Sequence, residues 1–175
     1  MKPTQILSEE HKYILEVIAA LNRECQSLES GKNLDKNFFE EAIDFIRNYA
    51  DKFHHAKEED ILFKELCKPS VEMHCNPVEQ MLYEHDLGRG FVKSMEEGLN
   101  KDDKARVIEN ARGYAALLQD HIFKEDNILY PMADRALSEK VQKSIIDKFK
   151  EAENKRFSKG TKGKYIDISK QFEKR

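Results

Sequence analysis

Four long stretches of this chain carry apolar residues at three- and four-residue steps, and every one of those tracks is interrupted by a histidine. That spacing is the inward face of an α-helix. The first track reads Leu7, His11, Ile14, Ile18 and the second Ala50, His54, Glu58, Ile61. The third reads Met81, His85, Arg89, Val92 and the fourth Tyr114, Leu118, His121, Glu125, Ile128. Two tracks therefore place a glutamate four residues after a histidine on a face that must be buried. Desolvating a carboxylate is costly, so glutamate inside a core implies a partner. Two of them in matching positions imply a shared partner, and a pair of cations at the centre of a helical bundle supplies one.

The matching positions belong to an internal repeat. Residues 54–63, HHAKEEDILF, align with residues 121–130, HIFKEDNILY, and Glu10-His11 aligns with Glu84-His85. The chain thus reads as two similar αα-hairpins, each offering two imidazoles and one carboxylate to a common centre. A one-residue change of helix phase would turn His55 and Glu59 inward instead; the alignment of His54 with His121 favours His54 and Glu58. Imidazole and carboxylate together suit iron or manganese better than calcium, which takes oxygen ligands alone, and zinc is compatible on ligand type. With a bridging oxygen, each ion would reach five donors and keep one position for a small molecule.

Helix signals place the elements. The first helix is expected over residues 8–30 with Ser8 as N-cap and Gly31 as stop. The second spans 36–67 behind Asp35, and the third 77–99, opened by Asn76-Pro77. The fourth spans 103–130 up to Pro131, and a fifth helix follows Ser138 over 139–156. Short connections between long amphipathic helices predict an all-α, antiparallel up-down four-helix bundle with an additional C-terminal helix. Residues 1–156 form that unit. Residues 157–175, with six Lys/Arg against two acids, are expected to be a basic, flexible tail.

Composition agrees with this and removes several function classes. The 175 residues include only 7 Gly and 4 Pro, which favours helices over strands. A net charge of −3 lacks the basic excess that nucleic acid demands. No apolar run approaches the ~18 residues of a membrane span, and residues 1–10 do not read as a signal peptide. Three cysteines without a Cys-x-x-Cys pair argue against a disulfide framework, so a cytoplasmic location is expected.

The ordered pattern His11, His54-x-x-x-Glu58, His85-x-x-x-Arg89, His121-x-x-x-Glu125 resembles the hemerythrin-like family, the HHE cation-binding domain, over about residues 5–133. The resemblance implies a four-helix bundle around a non-haem di-iron centre, with His11, His54, Glu58, His85, His121 and Glu125 as ligands to two iron ions. Zinc or manganese is the lesser alternative. Oxygen-carrying members place a second histidine four residues after the first on the third helix; here that position is Arg89, and Met81 stands four residues before His85. The HxxxR form resembles a bacterial subgroup associated with peroxide or nitric oxide chemistry. The expected partner is accordingly a small oxidant (H2O2, O2 or NO), with an electron donor and an oligomeric state that the sequence does not specify. A binding module sensing oxygen, iron or redox state is the alternative.

Two further residues are candidates for the chemistry. Arg89 can hydrogen-bond a bound oxidant or hold a carboxylate behind the ligands, or simply form a salt bridge at the bundle end. Tyr114, two turns before His121, can donate to a bound oxygen, or be an ordinary buried tyrosine. Elsewhere the plain readings prevail. Cys25 is a core residue, and His74-Cys75 is too small a set for a metal site. Residues 160–164, GTKGK, lack the spacing and the preceding strand of a phosphate loop. Tyr165, Ile166, Ile168 and Phe172 offer the tail an apolar face with which to dock.

Overall fold

The computed structural model describes residues 1–73, 77–158 and 160–174. Six helices account for nearly all of them. Helix α1 is Pro3–Glu29, and α2 covers residues 36–66 without interruption. Helix α3 is Val78–Asn100, and α4 covers residues 104–136. Helix α5 is Glu139–Arg156 and α6 is Thr161–Glu173. Helices α1 to α4 form the bundle. No helix among the described residues is long and apolar enough to cross a membrane.

The caps explain most of the boundaries. The Asp35 carboxylate accepts from the Phe38 N–H at 3.1 Å, and Ser138 accepts from Val141. Gly31 follows α1 with φ of +103°, a conformation that glycine adopts without a Cβ penalty. Ser8 is not a cap. The helix begins at Pro3, whose missing N–H costs nothing in a first turn. The Ser8 hydroxyl instead donates to Asp126 on α4 at 2.6 Å.

Pro131 does not end the fourth helix. The turn before it, Glu125–Leu129, is a π-turn with i→i+5 bonding, and that wider register accommodates the ring, so the chain stays helical to Ala136. The second helix widens at the matching place, Glu58–Leu62, and also over Ile46–His55. The widened turns thus hold His54, Glu58 and Glu125, while His121 lies in the regular turn just before one of them.

The core is divided in two. One apolar cluster is built around Ile14, Ile18, Phe39, Phe45, Tyr49 and Met95, the other around Leu7, Leu62, Phe63, Met81 and Leu129. The histidines and glutamates lie between them on every bundle helix. Helices α3 and α4 approach closely at Gly113, where a Cβ would sit 2.5 Å from the Phe91 ring.

Residues 161–173 differ from the flexible tail expected of them. They form α6, whose Tyr165 and Phe172 are buried against the first cluster. Phe172 packs edge-to-face on Phe38 with ring centroids 5.0 Å apart, and the Arg23 guanidinium donates to the Phe172 carbonyl at 2.8 Å. The Tyr165 hydroxyl donates to Asp44 at 3.2 Å. The apolar face of the tail outweighs its charge because the basic side chains can remain in water while the rings are buried. Phe172→Ala should therefore cost about 3 kcal/mol of stability, as removal of a buried ring does. A urea midpoint equal to that of the unaltered protein would show that α6 does not dock in solution.

Candidate metal centre

All six residues of the expected set converge. His11, His54, Glu58 and Glu125 each offer one donor atom within 4.8 Å of the others, and so do His55, Glu58, His85 and His121. Glu58 is common to both groups. Each of these seven side chains is buried, Glu58 and Glu125 completely.

The carboxylates span the two groups. The Glu125 oxygens lie 3.2 Å from His11 Nε2 on one side and 3.2 Å from His121 Nε2 on the other. One Glu58 oxygen is 3.6 Å from His54 Nε2 and 3.5 Å from His85 Nε2. The Tyr130 hydroxyl donates to the other Glu58 oxygen at 2.5 Å. One Glu58 oxygen, both Glu125 oxygens and His54 Nε2 have no hydrogen-bond partner. Buried acceptors facing one another without a donor between them are the arrangement a cation satisfies.

Distances between the rings test that fit. Two imidazole nitrogens about 2.1 Å from one ion and at right angles would be about 3.0 Å apart, with ring centroids about 4.6 Å apart. His85 and His121 have their Nε2 atoms 3.0 Å apart and centroids 4.7 Å apart; the His11–His54 centroids are 4.6 Å apart. The interplanar angles, 61° and 62°, are also alike. His55 is different. It lies 3.8 Å from the His85 ring and within 11° of parallel to it. In-plane lone pairs of two such stacked rings do not meet at one point, so His55 borders the centre while the other four rings converge on it.

Each converging ring is held from behind by a carboxylate. His11 Nδ1 faces Asp126 at 3.0 Å and His54 Nδ1 faces Glu10 at 3.0 Å. His85 Nδ1 faces Glu59 at 2.7 Å and His121 Nδ1 faces Glu84 at 2.8 Å. This contact turns each Nε2 lone pair toward the centre, as carboxylates behind metal-binding histidines do. Two of the four carboxylates are themselves tied to lysines, Glu10 to Lys57 and Glu84 to Lys124. The sequence gives no sign of this supporting role, yet Glu10/Glu84, Lys57/Lys124 and Glu59/Asp126 all occupy matching places in its repeat.

Without a cation, protons take its place. Burial, reinforced by the nearby Glu125 charge, pushes the Glu58 carboxyl well above the usual range. Glu125 goes the other way: burial opposes its ionisation, but the charges of the nearby His121 and His11 hold it ionised. Burial likewise opposes charge on His11, and Asp126 and Glu125 outweigh it, raising the imidazole to about 9. His54 and His55 are pushed below the ordinary imidazole value by burial.

The remaining candidates have distinct positions. Arg89 is not a ligand; its guanidinium donates to Asp51 and Asp86, and to Glu59 at 2.6 Å, the carboxylate that faces His85. Met81 is buried in the second apolar cluster. Tyr114 is buried, and its hydroxyl has no partner. Cys25 is buried, and burial raises its thiol to about 11, as suits a core residue. His74 and Cys75 lie outside the described residues.

The model of the hemerythrin HHE cation-binding domain matches residues 2–133. The chain belongs to that family. Curated proteins and solved structures gave no match. The family domain contains every residue of the centre, whereas α5 and α6 lie beyond it. The fold, the family and the convergent donors together make this a metal-binding, hemerythrin-like protein.

The His11 proton gives a measurable consequence. Its value in the folded, metal-free protein is about 9, against an ordinary 6.5. A raised value stabilises the fold fully below the unfolded value and loses that contribution as pH rises through the folded one. Metal-free protein should therefore melt at a lower temperature at pH 9 than at pH 6.5, and His11→Gln should flatten the difference. A cation must displace the same proton, so metal affinity should rise over that interval. Metal affinity that is equal at both pH values would contradict this account.

Proposed function

We propose that this protein is a non-haem di-iron protein that binds and reacts with a small oxidant, with hydrogen peroxide placed before O2 and NO. The observation that supports it is the sharing of Glu58 and Glu125 between two pairs of convergent histidines. His11 and His54 would hold one ion, His85 and His121 the other, and the two glutamates would bridge them. When bound, iron would supply Lewis acidity and a change of oxidation state.

The chain's own residues have separable tasks. Asp126, Glu10, Glu59 and Glu84 orient the imidazoles. Tyr130 fixes one oxygen of Glu58. Arg89 holds Glu59 against His85 and closes the outer side of the site. The two apolar clusters keep bulk water from the centre, which strengthens every electrostatic contact there.

Metal content and the electronic absorption spectrum, before and after peroxide, test this reading on protein purified without added metal. About two irons per chain and a peroxide-dependent spectrum are expected. Glu125→Ala and His85→Ala should each lose metal and peroxide turnover together. Zinc in place of iron, with a large fall in melting temperature on chelation and no reaction with peroxide, would make the protein a structural metal bundle; peroxide turnover that persists in metal-free protein would overturn the di-iron reading.

A sensing role is the second reading, and the place of α5 supports it. Arg156, at the end of that helix, bonds the Lys52 carbonyl and Asp60 on α2, beside the Arg89 network. A change at the centre would then reach a segment outside the family domain. Identical proteolysis of the metal-free, reduced and oxidised protein would remove this alternative.

A further inference from the structure

Apart from Met1, every large apolar side chain that is strongly exposed among the described residues lies on one hairpin: Leu82, Tyr83 and Leu87 on α3, Phe123 and Ile128 on α4. Their exposures run from 37% for Leu82 to 63% for Phe123. Helices α5 and α6 pack on α1 and α2 and leave the outer side of α3 and α4 to solvent. The internal repeat shows what such a face accepts. Phe123 and Ile128 match Ala56 and Ile61. Ile61 packs against the cluster to which α5 contributes Ile145 and Phe149, and Ala56 lines a groove with Arg156 and Phe157 at the end of α5. One hairpin thus carries a helix on the face that its counterpart leaves bare.

Area and charge say what covers it. At these exposures the five side chains leave roughly 400–500 Å² of apolar surface in water. A standard interface buries about 800 Å² per partner, a little over half of it apolar, so the patch matches the apolar share of one. The strip along α3 also fits itself. Glu79, Tyr83, Asp86, Gly90 and Lys93 follow one another at three- and four-residue steps, and all are exposed. A Cβ added at Gly90 would meet nothing within 4 Å, so bare backbone there forms a dimple two turns from the Tyr83 ring. Glu79 and Lys93, opposite in charge, stand at opposite ends of the strip, and neither has an ion-pair partner among the described residues. Asp86, in the middle, is met by the Arg89 guanidinium at 2.8 Å.

We propose that the outer face of α3 and α4 is the interface of a homodimer, in which α3 packs antiparallel on α3 of a second copy about a twofold axis beside Asp86 and Leu87. A twofold contact is isologous, so every pairing is made twice. About that axis the Tyr83 ring of each copy falls over Gly90 of the other and fills its dimple. Glu79 of each copy falls beside Lys93 of the other, and the two ends of the strip pair in charge. A parallel arrangement would set Glu79 against Glu79 and Lys93 against Lys93. Phe123 and Ile128 border the seam from α4 and extend the apolar area withdrawn from water. The inference goes beyond the di-iron reading and does not rest on it, since none of these side chains belongs to the metal centre.

Sedimentation equilibrium of the full chain, from low-micromolar to submillimolar concentration, tests this, with far-UV circular dichroism as the check on the fold. The mass should rise to twice that of one chain. Tyr83→Asp, on an exposed helix face, should keep the helical spectrum and leave a monomer at every concentration. Gly90→Leu should strengthen α3 itself, because glycine is a poor helix former, yet weaken the dimer about tenfold by filling the dimple. Glu79→Lys or Lys93→Glu alone sets like charges opposite each other twice over and should weaken the dimer about tenfold; the two together should restore it to within about twofold. A chain that stays monomeric throughout overturns the proposal. So does a dimer that survives Tyr83→Asp, or one that the double exchange weakens as much as either single exchange.

Discussion

Two fully buried carboxylates face each other across the middle of this bundle, and the rest of the structure is arranged around the cost of that. Glu58 and Glu125 together leave three oxygens without a hydrogen bond. In a low-dielectric interior both cannot be ionised unless positive charge lies between or beside them. The metal-free protein answers with protons, on Glu58 and on His11. Cations answer better, because they satisfy the oxygens and the imidazole lone pairs at once. The ring of Asp126, Glu10, Glu59 and Glu84 exists in turn because the imidazoles must be held with those lone pairs inward. Two of these contacts, Glu10–His54 and Glu84–His121, lock a hairpin internally; the other two, Asp126–His11 and Glu59–His85, lock one hairpin to the other.

The repeat makes the scaffold nearly symmetric, so the departures from symmetry carry information. Histidine pairs, supporting carboxylates and lysines all correspond. At the position where one hairpin has Tyr130, the other has Phe63; where one has His55, the other has Ile122. Tyr130 stacks on His11 and bonds Glu58, whereas Phe63 stacks on His85 and bonds nothing there. The hydroxyl thus serves the His11 side, and His55 serves the His85 side. Two equivalent metal positions would thus receive different neighbours, Tyr130 on the His11 side and His55 on the His85 side.

The bundle, its four tracks and the six convergent residues were legible from the sequence because burial of charge is so restrictive: an inward glutamate four residues after a histidine has few explanations. The supporting carboxylates were equally present in the repeat, but a glutamate beside a ligand on a helix looks like a solvated charge until the neighbouring helix is placed. His55 was illegible for a different reason. A strict 3.6-residue period makes His54 and His55 exclusive alternatives, and the π-register over Ile46–His55 turns both toward the interior. Sequence periodicity does not report such a widening. The tail misled through its charge: its lysines dominate composition, while Tyr165 and Phe172 decide where it lies.

The polar layer also explains why the chain continues past the family domain. A centre of histidines and glutamates divides the apolar core, and each half alone is smaller than a bundle of this length would otherwise have. The two added helices reinforce the halves separately. Helix α5 contributes Ile145 and Phe149 to the cluster on the Leu7 side, and α6 contributes Tyr165 and Phe172 to the cluster on the Ile14 side. Each buried ring or branched chain adds roughly 1.5–3 kcal/mol of burial, which is comparable to the cost of keeping one polar group unpaired inside the protein. The extension thereby offsets the strain of the centre without touching its ligands, and Lys148 of α5, bonded to Glu65 at 2.7 Å, ties it to the end of α2. The reactive layer can stay poorly satisfied in the absence of metal because stability is supplied on both sides of it.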